Sequence, residues 1–232
     1  MVMNMENENI IILKKVKKNY VVDGKEFNAL NETSISFKKG KFYAIVGHSG
    51  SGKSTLLQLL GLIKNKTSGN INILNMDVDN MTPKDKAMFR NKYIGFMFQN
   101  FYLDDDISAI ENVMLPYYIS NKKNYKEKKL EVYQMFKDLN ISGKENSKPK
   151  ELSSGQLAKV SIMRALINNP QIILADEPTG NLDRDNEKIV FEMLKSLANE
   201  GKCVIVVSHS SEVKHYSDIL ISIENGSVNY ES

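Results

Sequence analysis

The chain has 232 residues, 41% hydrophobic and 25% charged, enough for one large α/β domain or two small ones with a real core. Its formal net charge of +3 comes from basic residues interleaved with acids, which gives weak grounds for a nucleic-acid partner. The single cysteine, Cys203, excludes an internal disulfide and fits a reducing compartment.

No apolar run approaches the ~18 residues that span a bilayer. The start, Met1-Val2-Met3-Asn4-Met5-Glu6, is acidic and polar, unlike the basic segment and apolar core of a signal peptide. The expected location is the cytoplasm, and work at a membrane would require a second polypeptide to supply the membrane part.

In chain order, Ile10-Ile11-Ile12-Leu13 and Ser34-Ile35-Ser36-Phe37 read as strands, with turns at Asp23-Gly24 and Lys39-Gly40. Phe42-Tyr43-Ala44-Ile45-Val46 is nearly continuous in apolar character, as in a strand buried on both faces. Helical spacing over 56–63 follows, then a turn at Thr67-Ser68-Gly69-Asn70 and a strand at 71–74. From about 100 to 165 the chain turns to longer amphipathic stretches. Ser108-Ala109-Ile110-Glu111 forms a capping box. Residues 125–139 place Leu130, Tyr133, Met135, Phe136 and Leu139 near one face. Strands return at 171–175 and 203–207, separated by a helix near 185–199. This alternation implies a parallel sheet with crossover helices. No repeat, low-complexity tract or linker divides the chain, so 1–232 is expected to be one domain carrying a helical insertion.

Gly47-His48-Ser49-Gly50-Ser51-Gly52-Lys53-Ser54 fits G-x-x-x-x-G-K-S between a buried strand and a helix. Such glycines let backbone N–H groups turn inward around phosphates, aided by the helix N-terminus. Lys53 can then reach the β- and γ-phosphates of ATP, and Ser54 can ligate Mg²⁺. Downstream, Asp176 ends the apolar run Ile172-Ile173-Leu174-Ala175, where it can hold Mg²⁺ through water. Glu177 follows and, by strand alternation, points elsewhere, toward an attacking water.

Together with Gln99, Leu152-Ser153-Ser154-Gly155-Gln156 and His209, these signals stand in an order that resembles the ATPase subunit of an ABC transporter over nearly the whole chain. The resemblance implies a fold and a site. The fold is a P-loop NTPase core (about 1–98 and 166–232) with a mostly parallel sheet, an N-terminal antiparallel β subdomain and a helical insertion (about 99–165). The catalytic residues are Glu177, His209, Gln99 and Lys53, and Mg²⁺ is held by Ser54, Gln99 and Asp176. ATP is bound by Tyr20, stacked on adenine, and by Gly47, Ser49, Gly50, Gly52, Lys53, Ser54 and Thr55. Ser153, Gly155 and Gln156 act across a sandwich formed with a second copy, and 178–183 speaks across the same dimer.

Three departures stand out. Ser154 replaces the first glycine of the usual Leu-Ser-Gly-Gly-Gln, adding a Cβ and a hydroxyl to a loop that must approach a phosphate closely. Leu157-Ala158-Lys159 replaces Gln-Gln-Arg, so Lys159 keeps charge but loses the guanidinium fork. Ser210 replaces the aspartate common after the histidine. A working, slow ATPase is expected. Elsewhere, Asp104-Asp105-Asp106 is expected to serve a helix N-terminus. Lys122-Lys123 and Lys126, Lys128 and Lys129 are expected on a solvated face, Cys203 as an inert small hydrophobe, and His48 and His215 without a role.

The stretches 81–99, 107–113 and 176–183 are similar to the ATPases of macrolide exporters, lipoprotein-release systems and antimicrobial-peptide resistance transporters. That likeness implies an ATP-driven homodimer on the cytoplasmic face of the membrane, working a separate integral permease on peptide, lipoprotein or drug, with no nucleic-acid partner. A non-transporting regulatory or force-transmitting pair, as in cell division, is the rival.

Overall fold

The computed structural model describes residues 9–22, 24–120 and 123–231. The start at Met1–Glu6, Asp23 of the Asp23-Gly24 turn and Lys122 of the lysine pair lie outside the described residues.

Among the described residues, ten strands form two sheets. The first is antiparallel, in the order β2-β1-β4-β5, from β1 (Asn9–Val22), β2 (Lys25–Lys38), β4 (Ser68–Ile73) and β5 (Met76–Asp77). The second runs β10-β9-β3-β8-β7-β6, from β3 (Phe42–Val46), β6 (Ile94–Met97), β7 (Ile172–Asp176), β8 (Cys203–Val207), β9 (Ile219–Glu224) and β10 (Ser227–Glu231). All its neighbours pair in parallel except the β9–β10 hairpin. The helices are α1 (Lys53–Leu60), α2 (Pro83–Tyr93), α3 (Ala109–Ile119), α4 (Tyr125–Asp138), α5 (Ser154–Leu166), α6 (Arg184–Asn199) and α7 (Val213–Tyr216).

The apolar strand runs are buried on both faces because alternate residues feed opposite layers. Tyr43, Ile45, Leu174, Cys203, Ile205 and Val207 join the layer of α1 and the antiparallel sheet. Phe42, Ala44, Ile173, Ala175, Val204 and Val206 join the layer of Phe191 and Leu194 from α6. A third apolar cluster lies within the helical region between β6 and β7, around Val113, Val132, Phe136, Val160 and Met163.

Several sequence expectations change. Strands β1 and β2 are far longer than 10–13 and 34–37, because they pair with one another along most of their lengths. The expected turn at 67–70 lies within β4 from Ser68 onward. Gly69, at φ 88°, is a site of close approach, where a Cβ would stand 2.2 Å from Lys15 O. The helix expected at 56–63 begins earlier, at Lys53, directly on the glycine loop. On α4 the inward residues are Val132 and Phe136, with Met135 and Leu139 half-buried, while Leu130 (62%) and Tyr133 (39%) face solvent. The acidic triplet does not cap α3. Ser108 and Glu111 do so reciprocally, and Asp104 Oδ1 instead accepts from Asp106 N at 2.9 Å.

Unexpected elements are α2, β6 and the hairpin β9–β10. The hairpin has a structural duty, because its turn backs the glycine loop. Gly226 N donates to Ser51 O at 2.9 Å, and Asn31 N donates to Gly226 O at 2.8 Å.

Candidate functional site

Residues 47–52 connect β3 to α1 with three glycines at φ 150°, 75° and 110°. Two of them are fixed by neighbours as well as by conformation. A Cβ on Gly47 would stand 2.3 Å from Ile223 O, and one on Gly52 2.3 Å from Ala29 O. The loop is thus clamped between β9 and β2, while Gly50 faces open space. Ser51 Oγ is buried with no partner.

Lys53, the first residue of α1, is 5% exposed and donates from Nζ to Gly47 O at 2.9 Å and His48 O at 2.8 Å. Burial lowers its pKa, opposed by the nearby Glu177 and Asp176 carboxylates. Ser54 is exposed and donates from Oγ to Asp176 Oδ1 at 3.1 Å, so the end of β7 meets the start of α1. Burial raises the pKa of Asp176, opposed by the Ser54 hydrogen bond and by Lys53.

Glu177 leaves β7 in a left-handed conformation, φ 49°, which is costly for a residue with a Cβ. Two contacts with the end of β8 impose it: Glu177 N donates to Val207 O at 2.9 Å, and His209 N donates to Glu177 Oε2 at 3.0 Å. His209 Nε2 lies 3.5 Å from Glu177 Oε1, too long for a good hydrogen bond, and Oε1 is buried without a partner. A buried carboxylate oxygen that accepts no hydrogen bond, beside a lysine, a serine and an aspartate, suits the capture of a proton from a bound water. Ser210 closes the following turn, accepting from Glu212 N at 3.2 Å.

Gln99 is exposed just beyond β6. Its backbone O accepts from Asn181 Nδ2 at 3.1 Å, and a Cβ on Gly180 would stand 3.1 Å from its Nε2. It therefore stands against the 178–183 loop. Leu182 and Asp183 lead from there into α6, whose N-cap is Asp183. Tyr20 is half-buried on β1, with Lys18 Nζ 4.7 Å from its ring centre. Thr55 is half-buried in the first turn of α1, and Ser49 is exposed in the loop.

The signature residues open α5. Ser153 Oγ accepts from Gln156 N at 3.3 Å, and Gln156 Oε1 accepts from Ser153 N at 3.0 Å, a complete capping box. Ser154 occupies the first helical position with its side chain exposed, so the serine that replaces glycine sits without backbone strain. Gly155 is the restricted position, since a Cβ there would stand 2.4 Å from Asn186 Oδ1. Sequence reasoning gave no role to Asn186 or Arg164. Nothing in their spacing reveals them, because each meets its partner only through tertiary packing.

The ABC transporter family model matches residues 30–180. The chain belongs to the ABC transporter family. A lipoprotein-releasing system ATP-binding protein, LolD, from Buchnera aphidicola subsp. Schizaphis graminum is 37% identical, with 96% of this chain and 97% of that protein covered. An uncharacterised ABC transporter ATP-binding protein, YvrO, from Bacillus subtilis is 36% identical, with 94% of each covered. A macrolide export ATP-binding/permease protein, MacB, from Rhodopirellula baltica is 36% identical over 94% of this chain. The chain spans only 32% of that protein. Among solved structures, the dimeric ATP-binding cassette MJ0796, in a post-hydrolysis state bound to ADP and Pi, superposes with a TM-score of 0.89. It is 35% identical, covering 96% of this chain and 98% of that one. The ABC chain is accordingly an ATPase, with the expected α/β cassette fold, that uses ATP and Mg²⁺. Among the described residues of this ABC chain, no helix is long and apolar enough to cross a membrane.

Proposed function

We propose that this chain is the energy-supplying subunit of a membrane machine. Two copies close on ATP and work a separate integral permease from the cytoplasmic face, in export or extracellular-side work on peptide, lipoprotein or drug. The observation that carries the reading is the placement of Glu177. One oxygen is anchored by His209 N and the other is buried without a partner, next to the Lys53–Ser54–Asp176 cluster.

In this reading the backbone of 47–52, with Ser49 and Thr55 around it, wraps the phosphates, and Lys53 exchanges its two carbonyl contacts for phosphate oxygens. Ser54, Asp176 and Gln99 would hold Mg²⁺, which would neutralise charge on the phosphates. Glu177 Oε1 takes a proton from the attacking water, and His209 steadies the γ-phosphate. Tyr20 stacks on adenine. Ser153, Gly155 and Gln156 of the second copy present the N-terminus of α5, whose dipole favours an anion. Support for a permease partner comes from the LolD and MacB likenesses.

A pull-down from detergent-solubilised native membranes tests this, with tagged Glu177→Gln protein held in the ATP-bound state. Recovery of a stoichiometric membrane protein is the expected result. Recovery of the soluble chain alone, or of ribosomes or DNA, sinks the permease reading.

A further inference from the structure

We propose that Arg164 is a positioning residue for hydrolysis. Its guanidinium grips the backbone of Phe101 and Tyr102 and so sets where Gln99 stands, a proposal that rests on the role given to Gln99 above. Arg164 lies in the last turn of α5. One guanidinium nitrogen donates to Tyr102 O at 2.6 Å and the other to Phe101 O. These two carbonyls lie just past Gln99, more than 60 residues away in sequence.

The segment needs such a grip. Phe101 and Tyr102 are consecutive non-glycine residues in left-handed backbone, at φ 54° and 47°. Each is individually unfavourable, and a pair persists only where the surroundings over-determine it. Phe101 is buried in the core beneath α6, but Tyr102 is 65% exposed, with its ring edge-on to Phe98. Inside the turn, Phe101 N donates to Phe98 O at 3.0 Å and Tyr102 N to Asn100 O at 2.5 Å; the carbonyl contacts from Arg164 hold the same two residues from outside it. Here the planar fork reaches the two adjacent carbonyls from two separate nitrogens, whereas an ammonium would have to serve both from one, as Lys53 does at Gly47 and His48.

The base of the clamp is rigid. A Cβ on Gly95 of β6 would stand 2.5 Å from Ala165 O, so α5 lies directly against the strand that leads to Gln99. On the other side of the loop, Asn181 Nδ2 holds Gln99 O at 3.1 Å. Gln99 is thus pinned from both flanks, by the 178–183 loop and by the helix that the signature residues open. Tyr102 and Arg164 also line a groove of about 570 Å³ with Phe96, Phe98 and Ile119, so whatever occupies that groove meets the same loop.

The test is a double-mutant cycle on the purified full chain, reading kcat and ATP affinity. Arg164→Lys should lower kcat by about tenfold, as a small misplacement of a catalytic group does, with ATP affinity unchanged. In a Gln99→Ala background the same change should cost less than about twofold, because the two residues act as one unit. Tyr102→Gly reads the same geometry at an exposed position if Arg164→Lys folds poorly. By loosening the loop it should lower kcat by about threefold with ATP affinity unchanged. An equal loss from Arg164→Lys in both backgrounds, or wild-type kcat in both Arg164→Lys and Tyr102→Gly, overturns the clamp. A Gln99→Ala protein with wild-type kcat overturns instead the role assigned to Gln99.

Discussion

The backbone N–H of His209 holds Glu177 Oε2 at 3.0 Å, while the His209 ring stands 3.5 Å from the other oxygen. Backbone and side chain of one residue therefore do separate things. Glu177→Gln keeps the anchoring contact and removes the proposed base, so hydrolysis should fall by about 10²- to 10⁴-fold with ATP binding retained. His209→Ala keeps the anchor too, since the N–H is unchanged, and should leave Glu177 placed but the γ-phosphate less well held. Single-turnover hydrolysis and nucleotide titration on both variants separate the two contributions. Loss of ATP binding in Glu177→Gln would contradict this division.

Burial works against the charged forms of both Asp176 and Lys53. The folded pKa of Asp176 is raised by burial, so the folded state holds its proton more tightly than the unfolded state does. Stability from this group is greatest below the unfolded pKa and is lost as pH rises through the folded one. For Lys53 the folded pKa is lowered, so its charged form also disfavours folding, and the penalty fades as pH rises from the folded toward the unfolded value. Asp176→Asn should therefore raise Tm at pH 7, while weakening Mg²⁺-dependent turnover. The gain should vanish under acid conditions, where the wild-type carboxyl is already protonated. Thermal melts across pH measure this, and a lower Tm at neutral pH would refute it.

Gly155 and Ser154 should respond oppositely to substitution. Gly155→Ala forces a Cβ into Asn186 Oδ1 and should cost turnover and stability, on the scale of about 1–3 kcal/mol for overpacking. Adding Asn186→Ala removes the obstructing oxygen and should return part of the loss. Ser154→Gly should change turnover by less than about threefold. It removes no strain and gives up helix propensity of about 0.5 kcal/mol. A tenfold acceleration in Ser154→Gly would show that the serine, and not the partner contacts, limits the rate.

The Lys-x-Tyr arrangement around Tyr20 gives a direct check on adenine. The Tyr20 ring is half-buried with Lys18 Nζ 4.7 Å from its centre. Tyr20→Ala should raise the KM for ATP by about tenfold, with kcat unchanged, if base stacking is its function. Tyr20→Phe should be silent. Equal KM values across the three proteins would remove Tyr20 from the site.

The parts legible in sequence are those where local chemistry leaves few choices. The glycines of 47–52 and the runs Ile172–Asp176 and Cys203–Val207 declare a loop and two buried strands. The hairpin was equally available, with Asn225-Gly226 between two alternating stretches, but its weight lies in contacts that spacing does not show. α2 buries only Phe89, so its apolar period is faint, although Thr82, Pro83 and Asp85 mark its start. On α4 the sequence offers two apolar stripes. Only packing against α3 decides that Val132 and Phe136 turn inward and Leu130 and Tyr133 outward. The long-range contacts of the site, Arg164 with Phe101 and Asn186 with Gly155, have no local signature.

The support that Gly226 gives to Ser51 has a consequence for biosynthesis. Asn31 Nδ2 donates to Asn225 O at 3.0 Å and links residues 194 apart. A nascent chain that has emerged from the ribosome through α1 carries every residue of the glycine loop but none of β9, which closes against Gly47. A fragment released before residue 219 would carry the glycine loop without the support of β9, and is expected to bind ATP more weakly than the full chain.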